Sequence, residues 1–180
     1  VQLRALQQKI IEAQSAADEN PGEATKALVA KARKSLVEKE VEVFEKRVER
    51  YANNLEFKFK LGQRYQMAGR YNDAIKQFQL SRTDPRRKGV CMLSLGQCFQ
   101  KIKQNRLAMS HYETAIHEIP DRDAENKKTA LYLAGKMAMR LDDLDTAEKH
   151  LTILAGLDFT YRDVSALLDT IAQKRENNEL

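Results

Sequence analysis

The sequence predicts an all-α protein built from stacked helix pairs, and three observations lead to this prediction. The 180 residues are 42% hydrophobic and 32% charged, with only 7 Gly and 3 Pro, which is typical of helical domains. The segment "LGQRYQMAGRYNDAI", from Leu61, returns 34 residues later as "LGQCFQKIKQNRLAM", from Leu95. In the first copy, Leu61, Tyr65 and Ala68 share one helical face, and a second amphipathic segment follows the break at Gly69. A repeated helix-turn-helix unit is therefore expected.

The first 54 residues are expected to form a helical hairpin. An apolar stripe predicts a first helix over residues 1–18, which ends at the turn "DENPG". A second stripe, from Leu28 to Tyr51, predicts a helix about 30 residues long, whose end looks like the second helix of a degenerate repeat. The sequence leaves two roles open for this pair: a cap on the array, or a coiled-coil surface for another chain.

Three helix pairs are predicted over residues 55–88, 89–122 and 128–161. Small residues at corresponding places, such as Gly62 and Gly96, let paired helices approach closely. Gly69 lies where the chain reverses, because glycine takes a left-handed conformation without steric cost. The five inserted residues 123–127 should lengthen the first helix of the third pair by about one turn, with Asp121 or Asp123 as its cap.

A C-terminal capping helix is predicted over residues 162–180. The stretch "YRDVSALLDTIAQKRE" places Val164 and Ile171 on one face, with Arg162 and Asp163 on the polar outer face. Terminal units of a repeat array need such a polar side because nothing stacks on it.

These units resemble tetratricopeptide repeats, whose pattern over 34 residues is W-x2-L-G-x2-Y, then A-x3-F, then A and P. The second unit matches this pattern at Met92, Leu95, Gly96, Phe99, Ala108, Tyr112, Ala115 and Pro120. In the third unit, Ala138 replaces the usual aromatic residue. The resemblance covers roughly Leu55 to Phe159. It implies a right-handed α-solenoid that acts as a non-catalytic scaffold and binds a peptide or helical segment of a partner protein in its concave groove.

The resemblance also implies which residues line the groove, since in this family the first helix of each repeat does so. Those residues are Phe59, Gln63, Gln66, Leu93, Gln97, Gln100, Lys101, Tyr132, Lys136, Met139 and Arg140. Phe59, Leu93 and Tyr132 recur at one repeat position and predict an apolar strip. The glutamines either bond a peptide backbone through their amides or are polar, helix-favouring residues retained after duplication. Family members that hold a chaperone's C-terminal carboxylate use a Lys and Asn pair, and Phe59 and Gln63 stand in those places here.

Charge is distributed unevenly along the chain. Residues 55–106 carry a net charge of +9 and residues 107–180 a net charge of −5. Arg82, Arg86, Arg87 and Lys88 form a basic patch that is either a solvated loop or a docking site for an acidic partner. The opposite blocks also permit head-to-tail self-assembly into a homo-oligomer, the second hypothesis. RNA binding ranks third, because exposed aromatic residues do not interleave the basic stretch.

Motifs for catalysis and cofactor binding are not found, so we expect neither an enzyme nor a cofactor or metal. His111 and His150 occupy the same repeat position, which predicts a tolerated surface place. Cys91 and Cys98 are expected to be small core residues in a reducing compartment.

The longest apolar runs span only a few residues, so no membrane insertion is predicted. The opening "VQLRALQQKIIEAQ" lacks the features of a secretory signal, and a cytoplasmic location is expected. Because the first residue is Val1, we expect a processed or partial chain, and an upstream anchor or domain stays open.

Overall fold

The computed structural model describes residues 2–178, and this range contains nine α-helices and no β-strand. The predicted all-α class is confirmed; Val1 and the last two residues of the predicted capping segment lie outside the described residues. The helices are α1 (Gln2–Glu19), α2 (Glu23–Arg50), α3 (Leu55–Met67), α4 (Tyr71–Ser81), α5 (Lys88–Lys101), α6 (Asn105–Glu118), α7 (Ala124–Arg140), α8 (Leu144–Leu157) and α9 (Val164–Asn178).

The chain divides into two compact units, Val1–Gln77 and Phe78–Leu180, and the division falls inside α4. In the first unit, α1 packs along α2, and α2 packs on α3. The Tyr65 hydroxyl of α3 donates to Glu45 of α2 at 2.8 Å. These contacts attach α3 to the C-terminal half of the long helix.

The second unit is a series of helix pairs. α5 packs on α6, α6 on α7, α7 on α8 and α8 on α9, and α5 also contacts α7. The core between these helices includes Leu95, Tyr112, Leu131 and Leu151, all without accessible surface. The first helices of the two pairs, α5 and α7, are thus neighbours.

Glycine is required where paired helices cross most closely. A Cβ atom on Gly96 would lie 2.5 Å from the Tyr112 ring, and one on Gly135 would lie 2.6 Å from Cγ of Leu151. Contacts that short do not occur between carbon atoms, so any side chain at these positions forces the helices apart. The sequence prediction that small residues permit close approach is confirmed for Gly96, and Gly135 plays the same part in the third pair.

The turn inside each helix pair contains one residue in the left-handed region. These residues are Gly69 (φ 75°), Lys103 (φ 63°) and Asp142 (φ 61°). At the second turn, the Lys103 amide donates to the Gln100 carbonyl at 3.1 Å and the Gln104 amide to the Phe99 carbonyl at 2.9 Å. The corresponding two hydrogen bonds recur at the other two turns, so α3, α5 and α7 each end in a Schellman motif. The prediction for Gly69 is confirmed, and the two non-glycine residues adopt the same conformation.

The insertion before the third pair lengthens its first helix. α7 has 17 residues, whereas α5 has 14. Asp123 occupies the N-cap position, as predicted, but its carboxylate accepts hydrogen bonds from the Asn126 side chain at 2.9 and 3.0 Å instead of capping the backbone. The extra turn is held further by Lys127, which donates to the Ile119 carbonyl at 3.0 Å.

Both cysteines are buried and unpaired with each other, as predicted. Burial raises the pKa of the Cys98 thiol to about 12. It also raises the pKa of Cys91, whose sulfur lies 3.4 Å from the Ser81 hydroxyl. These thiols are therefore core groups with little thiolate character.

Candidate functional site: the α5–α7 face

The predicted groove residues of the second unit lie on its two neighbouring first helices. We call this set the α5–α7 face: Leu93, Gln97, Gln100, Lys101, Tyr132, Lys136, Met139 and Arg140. Lys101, Lys136 and Arg140 are exposed. Three of the eight residues carry a positive charge and none carries a negative one. The face therefore favours negatively charged groups.

The apolar members of the predicted groove are less accessible than expected. The exposed fraction is 3% for Leu93 and 7% for Tyr132, and in the first unit it is 9% for Phe59. The prediction that they form a strip open to a partner needs correction, because these side chains are packed among the helices of their own units. The polar residues remain as the accessible part of the face.

Gln100 is held by a hydrogen bond from a buried residue of the core. The hydroxyl of Tyr112, on α6, donates to Oε1 of Gln100 at 2.5 Å. Burial raises the pKa of Tyr112, so its hydroxyl stays protonated and donates this hydrogen bond. Internal packing thus accounts for Gln100 without a partner.

Tyr132 and Lys136 of α7 are joined to the residue that precedes α9. The Tyr132 hydroxyl donates to Oδ1 of Asp163 at 2.7 Å and accepts from Nζ of Lys136 at 3.1 Å. Nζ of Lys136 also lies 3.6 Å from Oδ2 of Asp163. The hydrogen bond from Tyr132 lowers the pKa of Asp163, and the bond to Tyr132 raises the pKa of Lys136. A carboxylate thus occupies one end of the face.

Arg162 reinforces this arrangement. Its backbone is in the left-handed region (φ 52°), and its guanidinium lies 4.6 Å from the Tyr132 ring centre and 5.2 Å from that of Tyr161. The two tyrosine rings meet edge to face at 5.8 Å. Arg162 and Asp163 were expected on the polar outer face of the cap, and their contacts with α7 were missed. The 34-residue shift from Lys128 to Arg162 was the signal that places them at the start of a further first helix.

The remaining predicted groove residues lie on α3 in the first unit. Gln63 and Gln66 are half-buried there, beside the buried Phe59. Their part in partner binding stays a prediction.

Most of the predicted basic patch is engaged in ion pairs. Asp84, which is buried, pairs with Arg86 at 3.4 Å and with Arg87 at 2.9 Å. Lys88 pairs with Glu118 at 2.6 Å. Arg82 is exposed. These pairs reduce the positive charge that the loop offers to a partner.

The prediction of a surface place for His150 is wrong, since its exposed fraction is only 7%. Its packing against neighbouring helices lowers the pKa of the imidazole by desolvation. His111, at the corresponding position, is half-buried and stacks on Phe99 with ring centres 5.1 Å apart. Across residues 2–178, no three His, Cys, Asp or Glu side chains are grouped as a metal site would require.

None of the helices described is both long and apolar enough for a membrane crossing.

Comparison with known proteins finds the same fold. MamA superimposes with a TM-score of 0.70 at 18% identity, covering 82% of this chain and 84% of that one. The first TPR of Spaghetti, bound to the HSP90 peptide SRMEEVD, gives 0.59 at 17% identity, covering 68% and 93%. The Yersinia enterocolitica type III secretion chaperone SycD, in complex with a peptide of the translocator YopD, gives 0.57 at 24% identity, covering 67% and 94%.

No family model matches the sequence, and no curated protein matches it significantly. The likeness of this chain to tetratricopeptide-repeat proteins therefore rests on its fold and on the repeat pattern that the helix pairs reproduce. The chain is a helical-repeat protein of the tetratricopeptide type in its fold.

Proposed function

We propose that this chain is a non-catalytic scaffold that binds an acidic segment of a partner protein on its α5–α7 face. The observation that carries the proposal is the charge of this face, where Lys101, Lys136 and Arg140 are exposed and no member is acidic. Cationic side chains attract acidic segments over several ångströms and disfavour the binding of basic segments.

Two structural neighbours support a peptide as the ligand, since Spaghetti and SycD are both seen with bound peptides. The peptide bound to Spaghetti contains three acidic residues and one basic residue. The family's Lys and Asn pair is replaced here by Phe59 and Gln63, so the cations of α5 and α7 take the role of attracting the ligand.

The proposal is tested with two fluorescein-labelled, amidated decapeptides, one alternating Leu and Glu and the other alternating Leu and Lys. Fluorescence anisotropy at low and at physiological salt measures their affinities. We expect the acidic peptide to bind more tightly, and the double variant Lys101→Gln with Arg140→Gln to weaken its binding about three- to tenfold, as two partly exposed charges would.

The matched control is Lys149→Gln with Lys174→Gln, which removes the same charge from exposed positions on α8 and α9. Equal losses in both double variants would mean that only net charge matters, and the α5–α7 face would then not be the site. Failure of the acidic peptide to bind would refute the proposal.

Self-association is a second candidate, which rests on the net charges of +9 for residues 55–106 and −5 for residues 107–180. A contact between unlike regions of two copies extends the assembly head to tail. Light scattering after size exclusion should then show mass that increases with protein concentration and falls as salt is added. A constant monomer mass under low salt would exclude it.

A further inference from the structure

Asp163 holds a position that an acidic ligand would also need. Its carboxylate is bonded to the α5–α7 face, through Tyr132 at 2.7 Å and Lys136 at 3.6 Å. Both groups are among the polar contacts that this face offers. A partner carboxylate that approaches Lys136 must therefore displace Asp163 or share the lysine with it.

We propose that Asp163 is an internal competitor that lowers the affinity of the α5–α7 face for acidic segments. This inference rests on the proposed function and adds a means by which the free chain regulates the same site. In the free chain, Asp163 neutralises Lys136 and accepts the Tyr132 hydrogen bond. When an acidic segment binds, its carboxylate takes over Lys136, and Asp163 turns towards solvent.

The geometry favours displacement over permanent anchoring. Asp163 precedes the first residue of α9, and about half of its side chain is exposed, as is about two fifths of that of Lys136. Half-exposed ion pairs contribute little and exchange readily with water. α9 is held elsewhere, because Val164 and Ile171 are fully buried and α9 packs on α8. Loss of the Asp163 contact therefore leaves the helix in place.

The first experiment compares Asp163→Asn with the wild-type chain in the anisotropy assay, using the alternating Leu-Glu decapeptide. Asparagine keeps the size of the side chain and removes its charge. We expect binding to become about two- to fivefold tighter, the range that measured surface ion pairs reach. Asp169→Asn is the matched control, because it removes the same charge from an exposed position of α9 and should leave the affinity near that of the wild type.

The outcomes separate this inference from the proposed function. Equal affinities of Asp163→Asn and wild type, with the loss in the Lys101 and Arg140 variant intact, overturn the inference and leave the proposed function standing. Weaker binding by Asp163→Asn also overturns it, because Asp163 would then help to hold the ligand. If neither protein binds the acidic peptide, both proposals are wrong.

A second measurement uses the wild-type chain, so it does not depend on the stability of a variant. Carboxyl-carbon NMR at a fixed neutral pH follows the resonance of Asp163, which accepts the Tyr132 hydrogen bond in the free chain. Saturation with the Leu-Glu decapeptide should shift this resonance towards that of a solvent-exposed aspartate, as the contact is displaced. An unchanged resonance in the saturated complex would show that Asp163 stays on Tyr132, and it would refute the inference.

Discussion

Replacing Lys103 by glycine should stabilise the second unit, because the turn between α5 and α6 holds this residue at φ 63°. A left-handed conformation costs an L-residue roughly 1–2 kcal/mol, and glycine avoids this cost. The gain is partly offset because glycine loses more conformational freedom on folding, by about 0.4–1 kcal/mol. Lys103 is exposed, so little contact energy is lost with its side chain. The free energy of unfolding should increase by about 0.5–1 kcal/mol.

Urea denaturation followed by circular dichroism at 222 nm measures this change. With a slope of about 1–3 kcal/mol per molar urea, the midpoint should rise by a few tenths of a molar. Lys101→Gly is the matched control, since Lys101 lies in the last turn of α5 with helical geometry, where glycine destabilises by roughly 0.5–1 kcal/mol. If Lys103→Gly lowers the midpoint as Lys101→Gly does, the assignment of the Schellman turn is wrong.

Three further predictions concern the core. Gly96→Ala should lower the free energy of unfolding by about 1–3 kcal/mol in the same urea assay, because its Cβ would lie 2.5 Å from the Tyr112 ring. At Gly69 nothing lies within 4 Å of such a Cβ, so Gly69→Ala should cost only the free energy of placing an L-residue in the left-handed conformation. Burial lowers the pKa of His150, so the unfolded chain takes up the proton first as the pH falls below the ordinary histidine pKa of 6.5, and acidification should destabilise the fold. Urea midpoints measured between pH 7.5 and 5.5 should show this loss of stability, and His150→Gln should reduce it. Cys98, with no accessible surface, should react with a thiol reagent far more slowly in the native protein than in urea, and rapid labelling of the folded chain would contradict its place in the core.

The repeat pattern was enough to predict the helix pairs and their close contacts. The 34-residue shift aligned Gly96 with Gly62, and the structure shows why position 96 needs a small residue: a Cβ atom there would lie 2.5 Å from the Tyr112 ring. The insertion at 123–127 was likewise predictable, since extra residues before a helix with a polar cap extend it. These features depend on interactions within one repeat.

Accessibility was predicted less well, because it depends on residues that come from other repeats. Tyr132 is buried like Phe59 and Leu93 at the same repeat position, and it is covered in part by Arg162 and Asp163, which follow the third repeat. His150 was assigned to the surface from its equivalence to His111, whereas the structure buries it. A single sequence gives the periodicity of a helix face but not what lies against it.

The hydrogen bond between Tyr112 and Gln100 has a consequence for the kind of group that a ligand could present to Gln100. A glutamine amide is ordinarily free to turn either its oxygen or its nitrogen outward, so it does not distinguish one backbone orientation from the other. Here the oxygen accepts a hydrogen bond from the hydroxyl of the buried Tyr112 at 2.5 Å, so one acceptor site of the amide is engaged by the core. A partner at Gln100 that presents a carbonyl or carboxylate oxygen to the amide nitrogen would leave this hydrogen bond in place. Under the proposed function, this hydrogen bond in the core thereby favours hydrogen-bond acceptors of the ligand at Gln100.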